Sequence, residues 1–150
     1  CVNLQLGKTM IKLTKIFHFE MAHVISGYNG RCKNIHGHSY ELHVSVAGQN
    51  TGETYITGQG FVIDFKELKQ LVYKDIIDLL DHSLVLSEAF LLNHPELLKE
   101  DHVLAWKHEP TAENILYYLK EKLDTVFPDH IRLVQLKLYE TKDSYAEWVL

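Results

Sequence analysis

Apolar and polar residues alternate along two stretches in the first third of the chain, which is the pattern of a half-buried β-strand. The first stretch covers residues 10–22 and the second covers residues 38–47. A turn cluster of Ser, Gly, Tyr and Asn separates them at residues 26–30, and a Gly-containing break follows at residues 48–52. The pattern therefore predicts two strands joined by a turn.

Apolar residues then recur at the 3.6-residue spacing of an amphipathic helix in two segments. In the first segment Asp64 is the predicted N-cap, with Glu67 three residues later as in a loose capping box. Its apolar stripe consists of Leu68, Leu71, Val72, Ile76, Leu79 and Leu80. The second helix is expected to begin near residues 110–114, with Glu109 or Thr111 at its start. Its stripe consists of Ile115, Leu116, Leu119 and Leu123.

The remaining chain contains a mixed stretch and two further strands. The mixed stretch covers residues 84–108 and includes a short helix predicted over residues 88–92. Strands are predicted over residues 131–140 and 145–150. Two strands, two main helices and two strands, in that order, indicate an α+β domain with an antiparallel sheet and the helices on one face. The other face must then be solvated or covered by a partner.

The composition is that of an ordinary globular domain, since 46% of the 150 residues are hydrophobic and 23% are charged. We expect residues 10–150 to form a single domain and residues 1–9 to be an N-terminal extension. The net charge of −5 gives no electrostatic reason to expect nucleic acid. No apolar run approaches the roughly 20 residues of a membrane span. Two Cys make no disulfide framework, so a reducing cytoplasm is the expected location.

Ten His residues in this chain direct attention to metal binding. His36 and His38 flank Gly37, and side chains two residues apart in a strand point the same way, so both imidazoles can reach one ion. His23, at the end of the first strand, could supply a third nitrogen if the two strands pair. Three His ligands would leave a zinc position open, as in catalytic sites. The alternative is that each His is a polar surface residue.

Cys32 lies four residues before His36, in the Gly-rich turn that leads to the predicted metal site. As a ligand it would close the zinc coordination. Held beside the ion instead, it would be favoured as a thiolate and could act as a base or nucleophile. Spacing alone does not choose between these roles.

Several separated motifs resemble the family that contains 6-pyruvoyl-tetrahydropterin synthase and 6-carboxy-tetrahydropterin synthase. They occur in the family's order and cover the chain from about Met10 to Leu150. The motifs are His-Phe-Glu-Met-Ala-His at 18–23, Cys-x3-His-Gly-His at 32–38, Gly-Phe-Val-Ile-Asp-Phe at 60–65, Leu-Asp-His at 80–82, Pro-Thr-Ala-Glu-Asn at 110–114 and Tyr-Glu-Thr at 139–141. The resemblance implies the tunnelling fold (T-fold), in which a four-stranded antiparallel sheet with two outer helices joins identical subunits into a barrel. It also implies a larger homo-oligomer, commonly a hexamer, with active sites between subunits.

The resemblance also assigns the metal ligands and the base. It implies that His23, His36 and His38 bind Zn²⁺ and that Cys32 is the proton acceptor rather than a ligand. In this chemistry zinc is a Lewis acid that polarises the oxygens of the substrate's side chain. A cysteine thiolate beside the cation is a suitable base.

The remaining site residues also follow from the resemblance. Asp81 and His82 resemble the pair that assists the cysteine, and Glu140 resembles the carboxylate that anchors the pterin. Thr111 and Glu113 are expected to help shape the pterin pocket. Without the resemblance, the alternative is that Asp81 and His82 are a pair at a helix end and that Glu140 is a surface acid.

The distance along the chain between Cys32 and His36 bears on the product. The family's animal 6-pyruvoyl enzymes have a longer gap, whereas three residues, 33–35, resemble the bacterial 6-carboxy enzymes of queuosine synthesis. Those enzymes act on 7,8-dihydroneopterin triphosphate with loss of triphosphate and acetaldehyde. The stretch 85–108 is longer than in compact bacterial members and could reshape the pocket mouth. The alternatives are 6-pyruvoyl-tetrahydropterin synthase, a zinc hydrolase that needs no cysteine, and a non-catalytic binder of pterin or metal.

Overall fold

The computed structural model describes residues 11–48 and 55–150. The predicted extension at residues 1–9 and most of the predicted break at residues 48–52 lie outside the described residues. None of the described helices is long and apolar enough to cross a membrane.

Six strands and four α-helices make up the described part of the chain. The strands are β1 (Leu13–His23), β2 (His36–Gly48), β3 (Ser83–Ser87), β4 (Val103–Trp106), β5 (Ile131–Thr141) and β6 (Ser144–Val149). The α-helices are α1 (Phe65–Val72), α2 (Asp78–Leu80), α3 (Glu88–Leu91) and α4 (Ala112–Val126). A π-helical turn, Tyr73–Ile77, joins α1 to α2, and short 3₁₀ turns occupy Arg31–Lys33 and Pro95–Lys99. The structure confirms the two predicted main helices and the short helix at 88–92.

The strands form one sheet in the order β4-β3-β1-β2-β5-β6. The pairs β1–β2, β2–β5 and β5–β6 are antiparallel, which confirms the predicted antiparallel part and the α+β class. The expectation of four strands is wrong, because β3 and β4 extend the sheet by parallel pairing beyond β1. β3 has only five residues and β4 only four, and successive residues of β3 are buried. Buried and exposed positions therefore do not alternate along them as they would in a half-buried strand.

Both main helices pack against one face of the sheet and bury its apolar side chains. Their N-caps are those predicted, since Asp64 accepts a hydrogen bond from the backbone of Lys66 and Thr111 accepts one from that of Asn114. The largest core residues of the sheet are Phe17, Phe19, Tyr40, Leu42 and Leu136, and those of the helices are Leu68, Ile76, Leu80, Ile115, Leu119 and Leu123. The opposite face carries polar side chains such as His18, Glu41 and His43.

Candidate active site

Strand register brings three histidines together at one end of the core face. His23 at the end of β1 lies directly opposite His36 at the start of β2, and Met21 lies opposite His38. Alternation along β2 then aims His36 and His38 to the same side. The Nε2 atoms of His23 and His36 are 3.2 Å apart. The structure therefore brings together the three residues predicted as metal ligands.

Glu140 adds a carboxylate to the three imidazoles. Its Oε1 lies 3.2 Å from Nε2 of His23 and 3.1 Å from Nε2 of His38. One ligand atom from each of His23, His36, His38 and Glu140 lies within 4.8 Å of all the others, so this group could hold a metal ion.

Backbone carbonyls determine how two of the rings are protonated. Nδ1 of His23 is 2.7 Å from the carbonyl of Pro110, and Nδ1 of His36 is 2.7 Å from the carbonyl of Asn34. Because a carbonyl oxygen can only accept, each Nδ1 must carry the proton and donate it. A ring protonated on Nδ1 alone presents its Nε2 lone pair, and such carbonyl contacts are the usual support of metal-binding histidines.

His38 provides a direct test of whether this cluster fits a cation. Its Nε2 is buried and forms no hydrogen bond with the described residues, although Oε1 of Glu140 is 3.1 Å away. Burial lowers the pKa of His38, Glu140 raises it, and the neighbouring His23 and His36 lower it further. In a tetrahedral zinc site with bonds of about 2.0 Å, ligand atoms are about 3.3 Å apart, close to the separations seen here. The residues therefore fit a bound cation.

A β-bulge places Glu140 at the cluster. On β5, Tyr139 pairs with Tyr145 and Thr141 with Ser144, so Glu140 is the extra residue of the strand. Bulges re-aim side chains in this way next to active sites. The contact with His23, as a hydrogen bond, lowers the pKa of Glu140, whereas burial acts in the opposite direction. Nδ1 of His23 already donates to the carbonyl of Pro110, so a hydrogen bond from Nε2 to Glu140 requires a proton on both ring nitrogens. A metal ion bound to Nε2 would take the place of the second proton.

Cys32 lies beside the cluster rather than in it. It is a half-buried free thiol in the 3₁₀ turn Arg31–Lys33, and its sulfur is not one of the converging ligand atoms. A cavity of about 350 Å³ is lined by Cys32 together with His23, Thr111, Glu113 and Glu140. Five of the residues predicted for the site thus share one cavity, and the sulfur of Cys32 is not placed among the ligand atoms of the cluster.

The loop that carries Cys32 is fixed at both ends. The backbone N–H of Ile25 donates to the carbonyl of Cys32 at 2.9 Å. Ser26 donates to the Glu109 carboxylate through its backbone N–H, at 2.8 Å, and through its hydroxyl. Burial alone would raise the pKa of Glu109, but the hydrogen bonds from Ser26 and Ser87 hold it below its usual range. Glu109 thereby ties the cysteine loop to the turn whose Pro110 carbonyl orients His23.

Of the predicted pair Asp81 and His82, His82 lines a different cavity. Oδ1 of Asp81 accepts from the backbone of Glu20 at 2.8 Å, and its Oδ2 is 3.1 Å from Nδ1 of His82. The bond from Glu20 is the main reason that the pKa of Asp81 is lowered. His82 has a positive φ of 61° and an exposed side chain, and it lines a cavity with Glu20, Gly37 and His38. Neither residue lines the cavity of Cys32 within the same chain.

Comparison with known proteins identifies the family. Residues 12–149 match the family model of 6-pyruvoyl tetrahydropterin synthase. The chain belongs to this family. Its relatives include 6-carboxy-5,6,7,8-tetrahydropterin synthases of Haemophilus influenzae, 32% identical over 93% of this chain and 99% of the relative, and of Rickettsia bellii, 33% identical over 92% and 99%. The enzyme of that name from Bacillus subtilis is 30% identical over 90% of this chain and 82% of its own.

Solved structures of the 6-pyruvoyl tetrahydropterin synthase family share the fold. The Plasmodium falciparum synthase aligns with a TM-score of 0.69 at 20% identity, covering 93% of this chain and 97% of its own. The Caenorhabditis elegans synthase aligns with a TM-score of 0.66 at 22% identity, covering 95% and 96%. An uncharacterized Wolinella succinogenes protein aligns with a TM-score of 0.74 at 18% identity, covering 94% and 98%. The fold is therefore the T-fold expected from the sequence motifs, here with β3 and β4 added to the sheet.

Several residues that support the site in this family member were not predicted. The carbonyls of Asn34 and Pro110 hold two imidazoles, but a backbone carbonyl is common to every residue and gives no sequence signal. The sequence indicates Glu109 only as a possible helix start and Asn114 only as part of a motif. In the structure, Nδ2 of Asn114 donates to the Glu109 carbonyl at 2.8 Å. The Pro-Thr-Ala-Glu-Asn motif was the available signal for this turn.

Proposed function

We propose that this chain is a zinc-dependent 6-carboxy-5,6,7,8-tetrahydropterin synthase. The observation that carries the proposal is that a half-buried thiol, Cys32, shares one cavity with Glu140 and with His23, a member of the converging three-histidine cluster. The substrate would be 7,8-dihydroneopterin triphosphate, which reacts with water and loses triphosphate and acetaldehyde. The names of the relatives and the membership of the family support this assignment.

His23, His36 and His38 would hold the zinc ion. Three neutral imidazoles suit Zn²⁺, and the carbonyls of Pro110 and Asn34 keep two of them in the ligating tautomer. When bound, zinc supplies Lewis-acid polarisation of the oxygens on the substrate's side chain.

Cys32 would remove a proton from the side chain of the substrate. Its loop is closed by the hydrogen bond from Ile25 and anchored through Ser26, so the sulfur keeps a defined position next to the metal cluster. A general base needs such placement within reach of the proton that it accepts. Proton removal beside a polarised oxygen lets negative charge move onto that oxygen, which prepares the side chain for loss of triphosphate and for carbon–carbon cleavage.

Glu140 would bind the pterin ring. A pterin presents adjacent N–H donors on its amino-pyrimidinone edge, and one carboxylate can accept both in a bidentate way. A zinc ion on the three histidines would free Glu140 from its contacts with His23 and His38 for this role. Thr111 and Glu113, at the start of α4, would shape the same pocket.

The active protein would be a homo-oligomer, with a hexamer as the expected assembly. Neither Asp81 nor His82 lines the cavity of Cys32, and His82 lines another, which supports a site in which this pair serves the cysteine of a neighbouring copy. Among the described residues, β3 pairs with β1 only at residues 21–23, so the rest of that side of β1 is left open, as is the outer side of β6. Open strand edges of this kind can pair between copies and close a barrel.

A product assay tests the proposed activity. Zinc-loaded protein is incubated with 7,8-dihydroneopterin triphosphate and the products are separated by chromatography. We expect 6-carboxy-tetrahydropterin and acetaldehyde in equal amounts. Formation of 6-pyruvoyl-tetrahydropterin would keep the family's chemistry but overturn the product assignment, and absence of both pterins would overturn the synthase function.

A further inference from the structure

Tyr28 belongs to the wall of the Cys32 cavity and has no part in the chemistry proposed above. Its side chain is 55% exposed, yet it lines the cavity together with Cys32 and Glu140. A residue that is both exposed and part of the wall lies where the cavity opens to solvent. Its ring can therefore bury further apolar surface when a ligand enters.

The ring of Tyr28 rests against Gly30. A Cβ added to Gly30 would lie only 2.4 Å from Cε1 of Tyr28, so an alanine at this position would displace the ring. The backbone of Gly30 is extended, with φ −158° and ψ −169°, a conformation that alanine also adopts. The Tyr28 ring, rather than the turn, therefore requires glycine at position 30.

The same loop holds Tyr28 and Cys32. The hydrogen bond from Ile25 to Cys32 closes the loop around Tyr28, and Ser26 attaches it to Glu109. The position of the ring is thus coupled to the position of the thiol.

The other aromatic ring of the cavity wall differs from Tyr28 in its surroundings. Tyr145 packs against Tyr139 at a centroid distance of 4.7 Å and lies under the ammonium of Lys137 at 4.5 Å. Tyr28 makes no ring–ring or cation–π contact with the described residues of the chain. A ligand that stacks on Tyr28 would therefore displace no aromatic or cationic partner among the described residues.

We propose that the ring of Tyr28 stacks on the flat heteroaromatic ring of the substrate, and that Gly30 is a positioning residue that keeps the Tyr28 ring in place. This inference rests on the proposed function, because the flat ring is the pterin whose edge Glu140 would bind. Stacking on an aromatic side chain attracts a planar heterocycle without requiring a hydrogen bond. Edge recognition by Glu140 and face recognition by Tyr28 would together fix the plane of the ring before Cys32 accepts the proton.

Kinetics of Tyr28 variants test the stacking. We expect Tyr28→Ala to raise KM for 7,8-dihydroneopterin triphosphate about tenfold, with a much smaller effect on kcat because the base and the metal ligands are intact. Tyr28→Phe keeps the ring and should behave as the unmodified protein. Tyr117→Ala, which removes a 61%-exposed tyrosine of α4 outside this cavity, is the matched control. An unchanged KM in Tyr28→Ala, or equal losses in Tyr28→Ala and Tyr28→Phe, would overturn the proposal.

A double-mutant cycle tests the role of Gly30. Gly30→Ala should raise KM as much as Tyr28→Ala does, but it should have no further effect in a chain that already carries Tyr28→Ala. Additive effects of the two substitutions would show that Gly30 does not act through Tyr28. Metal content is measured for each variant to confirm that the cluster is intact.

Binding of biopterin separates this inference from the proposed function. Biopterin is a fluorescent pterin without a triphosphate, so its dissociation constant can be measured even if the protein makes no product. Absence of turnover in the unmodified protein would overturn the proposed function, whereas biopterin affinity unchanged by Tyr28→Ala would overturn the stacking alone.

Discussion

At the scale of single residues, two backbone carbonyls support the histidine cluster. Those of Pro110 and Asn34 accept from Nδ1 of His23 and His36, and Nε2 of His38 is buried without a hydrogen bond to any described residue. The spacing of the His-Gly-His pair was sufficient to predict that the rings converge. The carbonyls could not be predicted, because their use depends on where distant backbone segments pack.

Replacing His38 tests whether the cluster binds metal. We expect His38→Ala to lower zinc affinity by at least about 100-fold, since losing a ligand should cost no less than losing a hydrogen-bond partner of a ligand. His43→Ala is the matched control, because His43 lies on the same strand and interacts with Glu41 instead. Zinc content is measured by atomic absorption after dialysis against a weak chelator. Equal zinc content in both variants would contradict a site at His38.

At the scale of elements, the turn before α4 connects the parts of the site. Thr111 caps the helix, Pro110 orients His23, and Glu109 holds the loop of Cys32 through Ser26. The sequence predicted the helix start, with Glu109 or Thr111 near it, and the structure has Thr111 at the cap. The sequence did not predict that the same turn orients His23.

Substitution of Thr111 tests the contribution of the cap. We expect Thr111→Ala to lower the free energy of unfolding by about 1 kcal/mol, because the backbone N–H of Asn114 loses its acceptor. Thr111→Ser keeps a hydroxyl at the same place and should retain most of the stability. Urea denaturation of the two variants measures the difference, and equal losses would show that the hydroxyl does not stabilise the helix.

Strands β3 and β4 show where element prediction from sequence failed. The alternating pattern placed β1, β2, β5 and β6 within a few residues of their observed bounds. In contrast, β3 and β4 are short and join the sheet by parallel pairing, β3 with β1 and β4 with β3. β3 depends on a partner about 60 residues earlier in the chain and β4 on one about 20 residues earlier, and neither depends on a local period.

At the scale of the whole molecule, one chain contains the parts of the site but does not bring all of them together. Cys32 and Glu140 line one cavity, whereas His82 lines another. Open strand edges on β1 and β6 offer a way for copies to associate. Family motifs, rather than periodicity, predicted that active sites lie between subunits.

Mixed assemblies test whether His82 acts on a neighbouring copy. Inactive Cys32→Ala and His82→Ala subunits, unfolded and refolded together in equal amounts, should recover about a quarter of the normal activity, since that fraction of sites receives both intact residues. Cys32→Ala mixed with Glu140→Gln is the control and should stay inactive, because both residues line the same cavity of one chain. Equal recovery in the two mixtures, or none in either, would contradict a site shared in this way.

In the proposed site, the three histidines hold zinc and Cys32 serves as the base beside it. Both roles are tested by measuring zinc content and turnover of 7,8-dihydroneopterin triphosphate on the same preparation of Cys32→Ala. We predict that the variant keeps its zinc and loses activity by at least about 100-fold, as expected for removal of a general base. Loss of the zinc would make Cys32 a ligand, and retention of near-normal turnover would indicate a reaction that needs no cysteine.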